Sequence, residues 1–456
     1  MNNELNVIIL AAGQGTRMKS DLPKVLHPLG DKPLLEHVIL TASQLGANAT
    51  HVVYGHGGEL VKQKLSHLNV DWVLQERQLG TGHAVEQAMP AVTGNKPVLI
   101  LYGDVPLISL QTLTHLLSEV DDNTMGLLTA VMHDPTGYGR IIRDVSGNVV
   151  GIVEQKDAKP EQKAIKEINT GILAVKSDLL RRWLKMLENN NAQGEFYLTD
   201  IIGIAAKEGI NIKTSKPATL SEIEGVNNKI HLAELERVFQ RQQADRLMTD
   251  GVTLKDPARF DLRGELTAGK DVVIDVNVVF EGKVTLGDRV YIAPNCVIKD
   301  SQFGNDVTVH ANTIVEKSII GDACELGPFA RIRPETQLSK HVKIGNFVEI
   351  KKSVVDEHSK VNHLSYVGDT TMGKRVNVGA GTITCNYDGA FKHQTVIRDD
   401  AFIGSDTQLV APVEVGEGAT IGAGSTITHD APAGQLTLSR PMQKTRKGWK
   451  RPQKNK

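Results

Sequence analysis

Residues 320–350 read IGDACELGPFARIRPETQLSKHVKIGNFVEI, and an aliphatic residue returns at every sixth position of this stretch. The same spacing, with occasional steps of five, extends from Ile274 to Ile427 and is interrupted once, between Val378 and Ile403. A period of six matches neither an α-helix nor an ordinary strand. It predicts a hexapeptide solenoid, in which three short strands and three corners form one coil of a triangular parallel β-helix.

Two details of the repeat concern its corners. Glycine often follows the repeating aliphatic residue, as at Gly287 and Gly345, and we expect it where a sharp corner needs an unhindered backbone. The intervals 286–303 and 303–320 each span 17 residues, one fewer than three hexapeptides, which predicts a tightened corner. The repeat resembles that of left-handed β-helix acyltransferases, and a purely structural solenoid is the alternative.

Length and composition limit the classes of protein that fit. A chain of 456 residues is too long for one ordinary core, so we expect at least two domains. A net charge of -1 and 4% aromatic residues argue against a nucleic-acid or membrane-surface binder. The sequence shows neither a membrane span nor a secretion signal, and its three cysteines are too few for a disulfide framework or zinc site. We therefore expect a cytoplasmic protein.

The amino-terminal sequence predicts a phosphate-binding turn. The apolar run NVIILA at residues 6–11 is typical of a strand buried on both faces of a parallel sheet. The turn that follows can wrap a phosphate or nucleobase with its bare N–H groups, and its candidate binding residues are Leu10, Ala11, Ala12, Gly13 and Arg17. The glycine pattern alone is weak evidence, because the third glycine of a dinucleotide site and the ending of a Walker loop are both missing.

A longer string, LAAGQGTRMKSDLPKVLHPLGDKPLLEH at residues 10–37, resembles the signature of sugar nucleotidyltransferases. The resemblance implies that Lys24 meets a sugar phosphate or the α-phosphate of the nucleotide, whereas a lone lysine is ordinarily a solvated surface residue. Downstream, strand-like and helix-like segments alternate, which predicts a doubly wound, Rossmann-like α/β sheet. In QERQLGTGHA, Gln75, Gly80 and Thr81 match the stretch with which the family recognises uracil. The alternative is a glycine-rich turn that caps a helix at Thr81.

The run VLILYGDVPLI ends a buried strand in Tyr102, Gly103 and Asp104. Open α/β sheets bind ligands at the carboxyl ends of their strands, and a carboxylate is a hard ligand suited to Mg²⁺. We therefore predict that Asp104 binds magnesium, although an aspartate here can also serve only as a turn or helix cap. The family resemblance adds Asn227 as a second magnesium ligand, and hydroxyl or acetamide contacts of the sugar at Gly139, Glu154 and Asn169.

A nucleotidyltransferase half joined by a polar helix to a hexapeptide half resembles the family of bifunctional N-acetylglucosamine-1-phosphate uridyltransferases/glucosamine-1-phosphate acetyltransferases. The resemblance covers essentially the whole chain. It implies a uridyltransferase domain at 1–229, a linker helix at 230–250 and an acetyltransferase left-handed β-helix with a basic tail at 251–456. It further implies a homotrimer with acetyl-transfer sites between neighbouring solenoids.

The resemblance also implies the reactions and their ligands. Acetyl-CoA would acetylate glucosamine 1-phosphate, and UTP with Mg²⁺ would then convert N-acetylglucosamine 1-phosphate to UDP-N-acetylglucosamine and pyrophosphate. We expect neither nucleic acid nor a membrane as a partner. The helix predicted at 228–249 carries a narrow apolar stripe at Leu232, Leu235 and Phe239, as expected of a helix that bridges two domains.

His363 is the candidate base of acetyl transfer, because imidazole can accept the proton of an ammonium near neutral pH. A lone histidine on a solenoid face is more often structural. We expect Glu349 to orient the base. The family's sugar-phosphate pocket corresponds here to Arg333, Lys351, Tyr366 and Asn377.

The interruption TCNYDGAFKHQTV, at residues 384–396, is too polar to continue the solenoid and predicts an ejected loop that covers the site. The acetyl-CoA contacts implied by the resemblance are Ala380, Asn386, Tyr387, Ser405, Ala423 and, in the basic tail, Arg440. Cys385 raises the possibility of a covalent acetyl-enzyme, but direct transfer is favoured because no base near this thiol is evident.

Two other classes of protein compete with the bifunctional enzyme. One is a monofunctional sugar-1-phosphate nucleotidyltransferase with a regulatory or trimerising solenoid, and the other is a non-enzymatic, translation-factor-like scaffold. The charged candidates in both halves argue against the scaffold. His363 and the loop with Asn386 and Tyr387 argue against a solenoid without chemistry of its own.

Overall fold

We describe a computed structural model of the chain for residues 5–13, 15–55 and 57–454. Its contacts divide the chain into two compact units between Phe239 and Gln240. The division falls within a helix, Lys229–Thr249, in the segment where the sequence predicts one. We call the first part the amino-terminal unit and the second part the solenoid.

The amino-terminal unit alternates strands with helices. Its strands are β1 (Asn6–Leu10), β2 (Pro28–Leu29), β3 (Lys32–Pro33), β4 (Ala49–Gly55), β5 (Asp71–Gln75), β6 (Pro97–Tyr102), β7 (Thr124–Val131), β8 (Arg140–Arg143), β9 (Val149–Val153), β10 (Glu167–Lys176) and β11 (Asn211–Ser215). Its α-helices are α1 (Leu34–Gln44), α2 (Glu59–Lys64), α3 (Thr81–Ala88), α4 (Leu110–Ser118), α5 (Pro160–Lys163), α6 (Ser177–Leu184), α7 (Asp200–Lys207) and α8 (Lys229–Thr249), which continues into the solenoid. Short 3-10 helices lie at Thr16–Met18, Lys24–Leu26, Met89–Ala91 and Leu220–Ile223, and one in the solenoid lies at Pro257–Arg259.

The main sheet has the strand order β11-β7-β10-β6-β1-β4-β5, with β8 and β9 attached beside β10. Strand β1 is parallel to both β4 and β6, as the doubly wound prediction requires, and β5 is parallel to β4. Strand β10 instead inserts antiparallel between β6 and β7, so the sheet is mixed. The chain order reverses between β1 and β6, and a ligand crevice is expected outside the carboxyl ends of these two strands.

Both faces of the sheet are covered. Val7 and Ile9 of β1 pack in one hydrophobic core, with residues of α1, α2 and α4, whereas Ile8 and Leu10 pack in another, with residues of α3, α6 and α7. Successive side chains of a strand point to opposite faces, so a continuous apolar run fills both cores. The prediction of a strand buried on both faces is therefore confirmed.

The first half of α8 packs through its apolar stripe. Leu235 is buried, and Leu232 and Phe239 pack beside it against a small core that includes Met18 and Leu34. The stripe predicted from three- and four-residue spacing thus belongs to the core of the amino-terminal unit.

Within the solenoid, Gln240 closes the first coil. Its buried side-chain amide donates to the Leu262 carbonyl at 3.0 Å and accepts from the Leu262 N–H at 2.7 Å. This pairing satisfies the backbone of the coil that has no coil before it.

The strands of the solenoid are parallel and form three sides. Between residues 251 and 454, an 11-stranded sheet forms one side, from Thr253–Leu254, Val273–Ile274, Tyr291–Ile292, Thr308–Val309, Glu325–Leu326, Lys343–Asn346, Lys360–His363, Asn377–Val378, Phe402–Ile403, Thr420–Ile421 and Leu436–Thr437. A 17-stranded sheet forms the other two sides over the same described range, from Phe260–Ala268, Val278–Leu286, Val297–Lys299, Gln302–Phe303, Ile314–Glu316, Ser318–Ile320, Arg331–Ile332, Thr336–Leu338, Glu349–Lys351, Val354–Val355, Tyr366–Gly368, Thr370–Met372, Ile383–Cys385, Thr395–Ile397, Gln408–Val410, Val413–Val415 and Thr426–Ile427. The hexapeptide solenoid predicted from the repeat is confirmed.

Successive coils stack their repeating aliphatic residues in register. Ile274 pairs with Ile292, 18 residues later, and Ile292 pairs with Val309, 17 residues later. The corner that lost a residue is visible between neighbouring strands: Asp300 and Ser301 connect Val297–Lys299 to Gln302–Phe303, and Lys317 connects Ile314–Glu316 to Ser318–Ile320. Asp300 and Lys317 are left-handed, with φ of 44° and 43°. The prediction of a tightened corner is therefore confirmed.

The glycines that follow the repeating residues do not act as expected. Gly287 and Gly345 are not left-handed, whereas Arg289 and Phe347, two positions later, have φ of 57° and 56°. A Cβ on Gly345 would lie 2.0 Å from the carbonyl oxygen of Asn362 on the next coil. Glycine is therefore needed for the close approach of stacked backbones, and the turn itself is made by other residues.

The solenoid starts earlier than the repeat indicates, and its interruption is shorter. Thr253–Leu254 already pairs with Val273–Ile274, so the first coil precedes Ile274. Ile383–Cys385 and Thr395–Ile397 belong to the coils, which leaves residues 386–394 as the ejected loop. In the described part of the chain, no helix is both long enough and apolar enough to cross a membrane.

Candidate active sites

The first cavity of the amino-terminal unit lies where the sheet topology predicts it and has a volume of about 270 Å³. The turn after β1 and the ends of β5 and β6 line it. The predicted residues among its lining are Leu10, Ala11, Ala12, Gly13, Lys24, Gln75, Gly80, Thr81, Tyr102 and Asp104. The sequence did not indicate Gln78 or Glu195, which also line it, because local spacing does not place them beside this turn.

A second cavity of about 510 Å³ adjoins the first, since Tyr102 and Asp104 line both. Arg17 and Asn227 also line the second cavity, together with Tyr138, which the sequence did not indicate. Residues separated by about 200 positions in the chain thus meet at the carboxyl end of β6.

The candidate metal ligands contact the two cations of the phosphate-binding turn. Lys24 Nζ donates to Asp104 Oδ2 at 2.5 Å, and Arg17 Nη2 donates to Asn227 Oδ1 at 2.8 Å. The main chain holds the two acceptors near each other, since the Val226 N–H donates to the Asp104 carbonyl at 2.9 Å. Asp104 and Asn227 both line the second cavity. A cation in that cavity can therefore reach both side-chain oxygens.

This donor set fits Mg²⁺. A carboxylate and an amide oxygen are hard ligands, and Mg²⁺ commonly takes one or two protein ligands and completes its shell with phosphates and water. Among the residues that the structure describes, no cluster of three His, Cys, Asp or Glu side chains suits a metal held by the protein alone.

Gly139, Glu154 and Asn169 lie outside the lining of both cavities but meet one another. The Asn169 N–H donates to the Gly139 carbonyl at 2.9 Å, and a Cβ on Gly139 would lie 3.3 Å from Glu154 Oε1. Burial raises the pKa of Glu154. Burial, with smaller contributions from Glu154 and Asp104, also raises the pKa of Tyr102 well above its usual range. Tyr102 therefore lies near the charges of both Glu154 and Asp104.

The candidate uracil site is held by contacts from several elements. Gln75 is buried, and its Nε2 lies 3.2 Å from the Gly80 carbonyl and 3.0 Å from His83 Nδ1. Thr81 is the first residue of α3, and its hydroxyl accepts from the Leu198 N–H at 3.0 Å. As the alternative describes, a glycine-rich turn precedes a helix that begins at Thr81, with Gly80 at the cap position.

Gly80 has a conformation that only glycine tolerates well. Its φ is 117°, and a Cβ there would lie 2.5 Å from the Phe196 carbonyl oxygen. A side chain at this position would therefore displace the backbone that forms the wall of the first cavity.

The solenoid groove is a cavity of about 510 Å³ on the 11-stranded side. The predicted residues that line it are His363, Asn377, Ala380, Ser405 and Ala423. Arg440 reaches the same place from the tail, since its Nη1 donates to the Ala423 carbonyl at 2.9 Å. The candidate base thus shares a groove with most of the candidate acetyl-CoA contacts.

His363 is exposed, and its Nδ1 lies 2.8 Å from Oδ1 of Asn346 on the preceding coil. With the amide oxygen as acceptor, Nδ1 carries the hydrogen and Nε2 keeps a free lone pair. Glu349 does not contact this histidine as expected, because it accepts from Arg333 Nη1 at 2.6 Å. Asn346 is therefore the partner of His363, and the sequence did not indicate it.

The predicted sugar-phosphate residues separate into two groups. Asn377 lies in the solenoid groove, whereas Arg333, Lys351 and Tyr366 project from the adjoining side with Lys392 of the ejected loop. We call Arg333, Lys351 and Lys392 the cation cluster. Lys392, followed by burial and then by the charge of Arg333, lowers the pKa of Lys351, as expected for like charges close together. The sequence missed Lys392, because spacing does not show how an ejected loop folds back.

The ejected loop makes hydrogen bonds within itself and hydrogen bonds to the coils through Asn386 and Gln394. Asp388 accepts from the Ala390 and Phe391 N–H groups and lies 2.7 Å from His393 Nε2. Asn386 Nδ2 donates to Asp369 Oδ2 at 2.5 Å, so this predicted acetyl-CoA residue lies beside Tyr366 rather than in the groove lining. Tyr387 is exposed.

Cys385 lies directly before this loop, and among the described residues no base is seen to contact its thiol. Burial raises the pKa of its thiol, and its sulfur makes a long, weak contact of 4.0 Å to the Ile383 carbonyl. A raised pKa lowers the thiolate fraction that covalent catalysis requires. This environment agrees with direct transfer.

Family comparisons match both halves of the chain. Residues 7–158 match the MobA-like NTP transferase domain, residues 262–339 the GMPPB C-terminal domain, and residues 394–429 the bacterial transferase hexapeptide (six repeats). Together with the two sites, these matches define a two-part transferase that joins a nucleotidyltransferase to a hexapeptide acyltransferase. A solved UDP-glucose pyrophosphorylase complexed with UDP-glucose aligns over 52% of this chain and 98% of its own, at 19% identity and a TM-score of 0.43.

Curated relatives match the chain over its whole length. The Bifunctional protein GlmU of Marinobacter nauticus (strain ATCC 700491 / DSM 11845 / VT8) is 57% identical over 450 residues, which cover 99% of each chain. The Bifunctional protein GlmU of Azoarcus sp. (strain BH72) is 58% identical over 450 residues, covering 99% of this chain and 100% of that one. The chain belongs to the GlmU family of bifunctional enzymes.

Proposed function

We propose that the first and second cavities together carry out magnesium-dependent uridylyl transfer, and that the solenoid groove and the cation cluster carry out acetyl transfer. Membership of the GlmU family gives the chain its uridyltransferase and acetyltransferase activities. One observation supports this assignment of the two reactions to the two sets of residues. In each half, candidate residues that are far apart in sequence surround a cavity and contact one another.

In the amino-terminal unit, UTP would lie along the turn after β1. Backbone N–H groups of the turn and the side chains of Arg17 and Lys24 would bind the phosphates, and Gln75 with Gly80 would present hydrogen-bonding groups to uracil. A phosphate oxygen of N-acetylglucosamine 1-phosphate attacks the α-phosphorus, and pyrophosphate leaves. The residues Gly139, Glu154 and Asn169 would contact the sugar, next to Tyr102.

Asp104 and Asn227 would hold Mg²⁺ through their side-chain oxygens. When bound, the ion would supply positive charge that neutralises the phosphates in the transition state. The contribution of the chain itself is to keep the two oxygens together through the Val226–Asp104 main-chain hydrogen bond.

In the solenoid, glucosamine 1-phosphate would place its phosphate on the cation cluster and its amine near His363. Nε2 of His363 takes the proton of the ammonium, and the amine nitrogen then attacks the thioester carbonyl of acetyl-CoA. The N–C bond forms and the C–S bond breaks. The departing sulfur takes up the excess proton that remains on the nitrogen after attack, so coenzyme A leaves as the thiol and the product is the neutral amide. The groove residues Ala380, Ser405 and Ala423 would contact acetyl-CoA, with Arg440 and the loop residues Asn386 and Tyr387 beside them.

A homotrimer in the cytoplasm completes the proposal. Phe329, Phe347 and Leu364 form an exposed apolar ridge that reaches the residue after His363, and the two phenylalanine rings stack at 5.3 Å. Exposed apolar ridges commonly mark contact surfaces, and a second copy of the chain would cover this one. Light scattering should give three times the mass of the chain.

The unpaired cysteines agree with a reducing compartment.

The proposal is tested by assaying both reactions on the purified full-length protein. Thiol release should require glucosamine 1-phosphate and acetyl-CoA but no divalent cation. Pyrophosphate release should require N-acetylglucosamine 1-phosphate, UTP and Mg²⁺, and should disappear when the metal is chelated. Magnesium-independent pyrophosphate release, or acetylation of N-acetylglucosamine 1-phosphate in place of the free amine, would contradict the proposal.

A further inference from the structure

Two cationic side chains lie on the two oxygens that would bind the metal. Lys24 Nζ lies 2.5 Å from Asp104 Oδ2, and the two side chains are only 14% and 17% exposed. Arg17 makes the equivalent contact to Asn227 at 2.8 Å. The two cations follow the same turn in the sequence, and each contacts a different ligand candidate.

A divalent cation and the Lys24 ammonium compete for the Asp104 carboxylate, because Lys24 already contacts its Oδ2. Mg²⁺ binds a carboxylate oxygen at about 2.0–2.1 Å, which would bring it within a few ångströms of the Lys24 ammonium. Two positive charges at that separation repel strongly where water is largely excluded. A free divalent cation therefore has to displace Lys24 before it can bind Asp104 with full affinity.

The backbone of the turn makes the lysine contact possible. Gly15 has φ of 63°, and a Cβ on it would lie 2.6 Å from Cβ of Lys24. Because Gly15 has no side chain, Lys24 packs against the turn and reaches Asp104. The same lysine lines the first cavity next to Ala12 and Gly13, where the triphosphate would lie.

A bound triphosphate competes with Asp104 and Asn227 for Lys24 and Arg17, because its negative charge attracts the two cations at least as strongly as the two protein oxygens do. Lysine binds phosphate as a point charge and arginine binds it through a planar fork. If Lys24 and Arg17 turn to the phosphates, Asp104 and Asn227 are released at the same moment that phosphate oxygens become available as further metal ligands.

We propose that Lys24, together with Arg17, excludes free divalent cations from Asp104 and Asn227, so that the metal enters the site with the nucleotide. This inference rests on the proposed function, in which Asp104 binds the metal. It gives Lys24 a second task beside phosphate binding. It also couples metal binding to nucleotide binding, since by linkage each ligand strengthens the other.

The test is titration of the full-length protein with Mn²⁺, with free Mn²⁺ measured by electron paramagnetic resonance. Lys24→Met should bind Mn²⁺ about tenfold more tightly than the unaltered protein in the absence of UTP, which corresponds to about 1.4 kcal/mol. Lys24→Arg keeps the competing charge and should bind like the unaltered protein. Lys32→Met removes a lysine that pairs with Asp31 at 3.2 Å away from the site, and it serves as the matched control.

Asp104→Ala separates the two levels of the proposal. If Lys24→Met binds Mn²⁺ no more tightly than the unaltered protein, while Asp104→Ala loses the metal in the presence of UTP, the exclusion is overturned and Asp104 remains the ligand. If Asp104→Ala binds Mn²⁺ normally with and without UTP, the proposed metal site itself falls. Lys24→Gln provides a second neutral variant should Lys24→Met fold poorly, as judged by thermal unfolding.

Discussion

The imidazole Nδ1 of His363 lies 2.8 Å from Oδ1 of Asn346, and the two residues are paired on neighbouring coils. This contact fixes which ring nitrogen faces the groove. The register of the stacked coils places Asn346 directly beside His363. A neutral amide partner keeps the hydrogen on Nδ1 without adding a negative charge to the site.

Asn346→Ala should lower kcat of acetyl transfer by roughly tenfold, because a positioning hydrogen bond contributes about 1–1.5 kcal/mol. Asn346→Asp should keep most of the rate and move the acidic limb of the pH profile to higher pH, since a carboxylate favours the protonated imidazole. Steady-state kinetics as a function of pH measure both effects. Wild-type kinetics and an unchanged profile in both variants would remove Asn346 from the account.

Lys392→Met should raise the KM for glucosamine 1-phosphate by about tenfold with a smaller change in kcat, because a charge-assisted contact to the phosphate is lost. Lys340→Met, which removes a lysine paired with Glu357 at 3.4 Å, is the control and should leave the KM unchanged. An unchanged KM in Lys392→Met would show that the ejected loop does not bind the phosphate.

The same variant should change the pH dependence of substrate binding. Lys392 lowers the pKa of Lys351, and the positive form of Lys351 is the one that binds phosphate. The affinity is therefore fully present at lower pH and is lost as the pH rises through the lowered pKa. Lys392→Met should move this loss to higher pH, as seen in KM measured across the alkaline range. A loss at the same pH as in the unaltered protein would contradict the coupling.

Cys385→Ala should retain acetyl transfer, because burial raises the pKa of the thiol and direct attack of the amine needs no enzyme nucleophile. Mass spectrometry of the protein after rapid mixing with acetyl-CoA alone should detect no acetylated Cys385. Loss of activity in a folded Cys385→Ala variant, together with such an adduct in the unaltered protein, would establish the covalent route instead.

Gly404→Ala should destabilise the solenoid by about 1–3 kcal/mol, because a Cβ there would lie 2.5 Å from the Ala423 nitrogen on the next coil. Thermal unfolding should show a lower Tm. Gly151→Ala is the control, since no atom lies within 4 Å of its added Cβ. An unaltered Tm for Gly404→Ala would contradict this prediction, because it would show that the coils can separate enough to fit the Cβ with little loss in the free energy of unfolding.

Much of the fold follows from periodicity, whereas its exceptions depend on distant contacts. The six-residue repeat predicts the solenoid because one aliphatic side chain per strand fills its axis. It does not reveal the first coil, where Leu254 and Leu262 are eight residues apart. Strand β10 looks like other apolar strands, so its antiparallel direction is set by pairing that no local pattern contains.

The residues of the candidate sites also divide into those that the sequence predicts and those that depend on distant contacts. Turn residues and strand ends could be predicted, because topology brings the carboxyl ends of β1 and β6 together. Asn346 and Lys392 could not, since one depends on which coil stacks on His363 and the other on how an ejected loop folds back. The expectation that Glu349 orients His363 is wrong for a related reason. Arg333 lies one coil before it and pairs with it directly.

The central claim is that two independent sites, one in each part of the chain, carry the two reactions. The most direct measurement assays both activities, the Tm and the oligomeric mass on single preparations of Asp104→Ala and His363→Ala. Asp104→Ala should lose uridylyl transfer and keep acetyl transfer, because its metal ligand is gone. His363→Ala should lose about two to four orders of magnitude in kcat of acetyl transfer and keep uridylyl transfer. If either variant, folded and with unaltered mass, lost both activities together or lost neither, the two-site account would be contradicted.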